Sequence, residues 1–206
     1  HGGGFYHIRK YTVAPEQMPD DLHWFQWEAY STWLTGFALL SVTYYWGASS
    51  YLIDRSVADL VPSQAVLLSM ASLGLAWVVY DKLCQSRLKD DPAKVLGVLF
   101  GFILVMAWFY GQVFSARAAF LHVGAMIATI MSGNVFFTII PNQRIVVADL
   151  KAGRVPDAKY GAIAKLRSTH NNYLTLPVIF MMISNHYPMT YGHEWNVVIV
   201  AIVLGL

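Results

Sequence analysis

Cysteine is nearly missing. In 206 residues there is one, Cys84, which excludes an internal disulfide and any Cys-x-x-Cys metal or c-type haem site on this chain. Its expected role is that of a small apolar filler. Charge is scarce too, at 13% of residues against roughly 25% in a soluble domain, and a net charge of +2 is too small to argue for nucleic acid. There is no Walker motif and no dinucleotide-type glycine pattern, so no phosphate-cradling loop is expected. The string His1-Gly2-Gly3-Gly4 has the form of a lipase oxyanion loop, but no Gly-x-Ser-x-Gly follows it, and that reading fails. The chain opens with neither an initiator Met nor a secretory signal, so the expectation is that His1 lies inside a longer sequence.

What the chain does have is apolar length. Hydrophobic residues make up 56% of it, with 7 Trp, 12 Tyr and 11 Phe, and they are gathered into runs separated by charged connectors. This pattern predicts an all-α integral membrane protein, a helical bundle with five complete transmembrane helices at about 27–47, 64–80, 95–114, 119–140 and 172–185. The run 195–206 is too short to cross a hydrocarbon core of roughly 30 Å and is expected to be a truncated sixth. Only Glu28, at an edge, and His122 bring an ionisable group inside these limits. Gly97 and Gly101 form a Gly-x-x-x-Gly pair that either lets helices approach closely or is a chance match.

Orientation follows from the basic residues. The connector 141–169 carries Arg144, Lys151, Arg154, Lys159, Lys165 and Arg167 against Asp149 and Asp157, so it is expected to be a cytoplasmic loop. Counting spans in both directions puts 81–94, with four basic residues, inside and 185–194, with no Lys or Arg, outside. Residues 1–26 must then be cytoplasmic, although Arg9 and Lys10 are there outnumbered by Glu16, Asp20 and Asp21.

Two polar clusters stand at the mouths of the last complete span. His170, Asn171 and Asn172 lie at its cytoplasmic end, and Asn185 and His186 lie about 24 Å further along the helix, at the outer end. They cannot share one small site. Pro177, between them, is expected to kink the helix. On the outer side His186 has a candidate companion in His122, beneath which Ala125, Thr129 and Ser132 form a small-residue strip on one helix face. Two imidazoles at matching depth could give axial ligation to a haem b within the membrane domain; the alternative is a hydrogen-bonded interfacial His packed by small residues. On the inner side His1, His7, Arg9, Lys10 and Arg167 join the His170-Asn171-Asn172 cluster, an inventory suited to a small, planar, anionic ligand. The alternative there is a positive-inside loop with helix-capping Asn.

The strings "HGGGFYHIRKY", "LHWFQWEAYSTWLTGFALL", "FLHVGAMIATIMSGNVFFTIIPNQR" and "STHNNYLTLPVIFMMISNHYPMTYGH" resemble the membrane domain of the PuuD-type urate oxidases, and the resemblance runs over essentially the whole chain. It implies a multi-pass protein of the bacterial inner (plasma) membrane that oxidises urate to 5-hydroxyisourate. Electrons would pass to cytochrome c, or to a cytochrome c domain carrying c-type haem that is absent from this chain, without forming hydrogen peroxide. Members of that family begin with one more span and continue through others to a Cys-x-x-Cys-His domain, so the chain is expected to be an internal portion. Restoring those spans puts both termini outside, in agreement with the charge-derived topology.

Together these readings make His170, Asn171 and Asn172 the expected catalytic residues and His1, His7, Arg9, Lys10 and Arg167 the expected substrate-binding residues. His122 and His186 are the expected haem ligands, with a respiratory oxidase as a further partner. Three alternatives remain open at this point. One is a haem-b electron-transfer subunit of a dehydrogenase or oxidase assembly. Another is a transporter, for which Pro177 and Asn134 would mark broken helices. The third is a structural subunit without cofactor.

Overall fold

Polar caps decide where the helices begin. Asp91 accepts the Lys94 N–H at 3.2 Å ahead of Pro92, Asp157 accepts the Lys159 N–H at 2.9 Å, and Ser115 accepts the Ala118 N–H at 3.4 Å. Gln64 reaches back to the Val61 N–H at 3.2 Å, just ahead of Pro62. These caps belong to a computed structural model that describes residues 25–88 and 91–205.

The helices are α1 (Phe25–Leu40), which runs on in wide π-type turns over Ser41–Trp46 and Ala48–Leu52, then α2 (Pro62–Gln85), α3 (Pro92–Val113) and α4 (Ala116–Gly133). A π-type stretch, Asn134–Ile139, leads from α4 into α5 (Ile140–Lys151). α6 (Ala158–Ile183) passes through the buried Pro177 and ends in a tight turn, Ser184–His186. The short α7 (Pro188–Tyr191) and α8 (Asn196–Gly205) follow. Among the described residues there is no strand. Gly153, at φ 68°, terminates α5 in the left-handed region that its missing Cβ makes inexpensive, and its N–H donates to Leu150 O at 3.0 Å.

Among the described residues three helices are long and apolar enough to cross a membrane, namely Pro62–Gln85, Pro92–Val113 and the continuous Ala116–Lys151. They contain nearly all of the expected spans 64–80, 95–114 and 119–140. The expected spans 27–47 and 172–185 fall in α1 with its π-type extension and in the second half of α6. The expected loop 141–169 is mostly helix, since α5 and the start of α6 leave only Ala152–Asp157 between them. Hydropathy reports where a helix leaves the apolar phase, not where its backbone hydrogen bonds stop, so charged helical turns carry the composition of a loop.

α4 lies at the centre, packed against α6, α3, α2 and α1. Its composition matches that position. Ala118, Ala119, Phe120, His122, Val123, Gly124, Ala125, Met126 and Ile127 are buried in near-continuous sequence, so most of its circumference is covered by other helices. Gly124 lets α6 come close, because a Cβ there would sit 2.8 Å from the Met181 Cβ. Gly133 performs the same service for α2: a Cβ would lie 2.2 Å from Trp77 Nε1, and the Trp77 ring also packs against Phe137, with centroids 4.7 Å apart. A Cβ at Gly97 or Gly101 would meet nothing within 4 Å, so that pair makes no close approach among the described residues. Gly133→Ala is therefore expected to cost about 1–3 kcal/mol through forced displacement of the indole, while Gly101→Ala stays within about 0.5 kcal/mol. Thermal melts of the two variants in detergent check this ordering.

Candidate functional site

Where the C-terminal part of α2 meets the middle of α6, a set of polar side chains is packed together. On α6, Arg167, His170, Asn171 and Leu174 follow one another at helical spacings of 3, 4 and 7, which puts them on one face. On α2, Trp77, Tyr80 and Cys84 do the same. Asn134, the first residue of the π-type stretch after α4, stands between the two helices. Tyr80, Asn134 and His170 are fully buried, and Arg167 is 4% exposed.

Every contact within the cluster is polar and directional. Arg167 donates to Asp81 at 2.6 Å and to Asn134 Oδ1 at 3.2 Å, and its guanidinium lies over the Tyr80 ring at 5.0 Å. Asn134 Nδ2 donates to Tyr80 at 3.0 Å and to Asn171 Oδ1 at 3.0 Å. Asn171 Nδ2 donates to Met131 O at 3.0 Å. His170 Nδ1 is 2.8 Å from the Tyr80 hydroxyl and 3.8 Å from the Cys84 thiol. The other ring nitrogen of His170, Nε2, is buried and has no partner among the described residues. A buried polar atom left unmatched is costly, so this nitrogen marks a place where a ligand would complete the hydrogen bonding.

Of the expected inner-site residues, Arg167, His170 and Asn171 are brought together here. Asn172 is exposed and lies off the face that the other three share. His1, His7, Arg9 and Lys10 lie outside the described residues. Tyr80, Asp81 and Asn134 were not among the expected site residues. Asn134 carried a signal, a carboxamide inside an apolar run, whereas Tyr80 and Asp81 sit where a span ends and have the character of an interfacial aromatic and a loop acid.

The outer cluster is a different kind of object. His122 Nδ1 donates to Ala118 O at 2.7 Å, so in the neutral ring Nε2 accepts from Ser69 Oγ at 2.7 Å. Ser69 in turn meets Tyr45 at 2.8 Å, and Ser72 meets Tyr110 at 2.9 Å. The rings of Tyr44, Tyr110 and Phe114 enclose the imidazole, the nearest with its centroid at 4.8 Å. The small-residue strip below it receives α1, whose Trp33 Nε1 donates to Thr129 at 3.3 Å. His186 is exposed at the end of its turn, and its neighbour Asn185 is held by Tyr44 and Arg117. These residues do not fit the expected haem-b site. The Nε2 that would ligate iron is given to Ser69, and the groove that would take the macrocycle is filled by a helix.

A bundle with membrane-capable helices that buries a cluster of guanidinium, amide and imidazole groups defines the class: an all-helical protein with a buried polar site. The chain belongs to the urate oxidase N-terminal family, whose model matches residues 1–206. That agrees with the resemblance read from the sequence. No curated protein and no solved structure matched the chain.

Proposed function

We propose that the chain is the membrane portion of a urate oxidase that binds urate at the inner cluster and passes the electrons to cytochrome c. The carrying observation is His170 Nε2, a fully buried imidazole nitrogen without a partner among the described residues, set beside an arginine in a member of the urate oxidase N-terminal family. In this reading the five runs predicted from hydropathy all cross the bilayer, and the basic segment 141–169 puts the cluster on the cytoplasmic side.

The reaction to be accommodated is urate plus water giving 5-hydroxyisourate, two protons and two electrons, the electrons reducing two cytochrome c haems. This chain's part is to bind and orient. Arg167, already neutralised by Asp81, supplies planar N–H groups without placing a bare charge in the apolar phase. His170 offers one hydrogen-bonding atom to the substrate, and Asn134 and Asn171 brace both. Asn172, His1, His7, Arg9 and Lys10 are assigned the remaining contacts toward the cytoplasm. The c-type haem belongs to a further domain or a separate cytochrome, with a respiratory oxidase as the terminal acceptor.

Purified full-length protein mixed with urate and oxidised cytochrome c tests this reading. Two cytochromes reduced per urate, with no hydrogen peroxide, is the expected stoichiometry. Oxygen uptake with peroxide formed in proportion to urate would refute electron transfer to cytochrome c.

A further inference from the structure

We infer that Tyr80 and Asn134 are positioning residues that fix His170 as a hydrogen-bond donor, so that the inner site takes its ligand by an acceptor edge and not by an N–H edge. The inference rests on the proposed urate site and deepens it.

The polarity of the network is set at both of its ends. Arg167 has only donors, so the Asn134 atom facing it at 3.2 Å is the carbonyl oxygen. The Asn134 amide nitrogen then has two hydrogens, and both are used, one on Tyr80 and one on Asn171 Oδ1, each at 3.0 Å. At the far end Met131 O can only accept, which independently places the Asn171 amide nitrogen against it and the Asn171 oxygen toward Asn134. The two ends agree on every orientation.

The consequence falls on Tyr80. Its oxygen accepts from Asn134, so its own proton is available, and His170 Nδ1 lies 2.8 Å away. The Cys84 thiol, at 3.8 Å from the same nitrogen, can donate or accept and does not decide the role of Nδ1. With the Tyr80 proton directed to it, Nδ1 is the acceptor, and in the neutral ring Nε2 carries the hydrogen. That N–H is the atom without a partner among the described residues. The other such buried side-chain atom is also a donor, Trp77 Nε1, one turn along α2 from Tyr80 and packed against Gly133, the residue before Asn134. Trp77 Nε1 and His170 Nε2 are the two buried side-chain atoms without a partner among the described residues, and with this tautomer both are donors.

A ligand that presented N–H to His170 would face another N–H. An anion with carbonyl oxygens and a deprotonated ring nitrogen, as urate is near neutral pH, presents lone pairs instead. The same arrangement bars His170 from serving as the base that takes a proton from the substrate. Its Nδ1 is occupied by Tyr80, and its Nε2 is already protonated.

The test uses full-length protein and initial rates of urate-dependent cytochrome c reduction, resolved into kcat and KM, for His170→Gln, His170→Leu, Tyr80→Phe and the Tyr80→Phe/His170→Leu double variant. The amide of glutamine can put an N–H near the position of Nε2 but cannot take up a proton. His170→Leu is expected to raise KM about tenfold or more. His170→Gln is expected to keep kcat within about tenfold of the parent, whereas loss of a general base would cost about 10²- to 10⁴-fold. Tyr80→Phe is expected to raise KM roughly 3- to 10-fold with kcat little changed, and to add nothing in the His170→Leu background, because its effect acts through His170. The inference is overturned if His170→Gln loses kcat on the scale of a missing base, or if the Tyr80→Phe cost survives in full without His170. The His170→Gln comparison stands even if Tyr80→Phe does not fold. Unchanged kcat and KM in folded His170→Leu would instead bring down the inner-site reading as a whole, and this inference with it.

Discussion

His170→Ala is expected to reduce kcat/KM for urate by roughly 10²- to 10³-fold, the effect of deleting one preorganised donor from a water-poor site. The loss should not come from unfolding. His170 is buried, but among the described residues its one close hydrogen-bond contact is with Tyr80. An unmatched Tyr80 hydroxyl costs about 1–3 kcal/mol, which a multi-helix bundle can absorb. Circular dichroism and size-exclusion profiles should match the parent while cytochrome c reduction falls. Activity retained within a factor of a few would show that His170 merely packs α6 against α2.

The second large effect is on stability. Arg167 and Asp81 form an ion pair at 2.6 Å, with side chains only 5% and 17% exposed. Removing one partner of such a pair leaves a buried charge uncompensated and costs about 3–5 kcal/mol. Asp81→Ala is thus expected to lower the melting temperature by more than Gly133→Ala does. Replacing both partners together, as Asp81→Leu/Arg167→Met, removes the pair and its desolvation cost at once, so most of the lost stability should return. Urate oxidation should not return with it, because the guanidinium is gone. A double variant as unstable as Asp81→Ala would mean that Asn134 and Tyr80 cannot close over the site without Arg167.

How much of this was legible in the sequence depended on which physical signal each residue left. Helices show themselves by apolar length, so the cores of α2, α3 and α4 could be placed within a few residues. The first half of α6 could not, because Lys159, Lys165 and Arg167 give it the composition of a loop while its backbone is fully helical. His170 and Asn171 could be singled out as polar residues at the mouth of a span, but the face they share with Arg167 and Leu174 could not, because the apolar run that marks the helix begins only after them. Nor could their partners, because nothing in the sequence says that Tyr80 and Asp81 meet residues nearly ninety positions away. His122 shows the converse. An ionisable residue in a span invites a functional reading, and only the three-dimensional neighbours reveal that Ser69 and Ala118 take both of its nitrogens. Likewise, a small-residue strip cannot say whether a helix or a cofactor fills it, and here α1 does.

A structure of the full-length protein with urate bound, read where the C-terminal part of α2 meets the middle of α6, tests the inner site most directly. Urate is expected there with a lone-pair atom within hydrogen-bonding distance of His170 Nε2, Arg167 alongside, and the Asn134, Tyr80 and Asn171 bonds retained. Urate seated instead at the outer end beside His122 and Arg117, with His170 Nε2 still without a partner, would contradict the assignment.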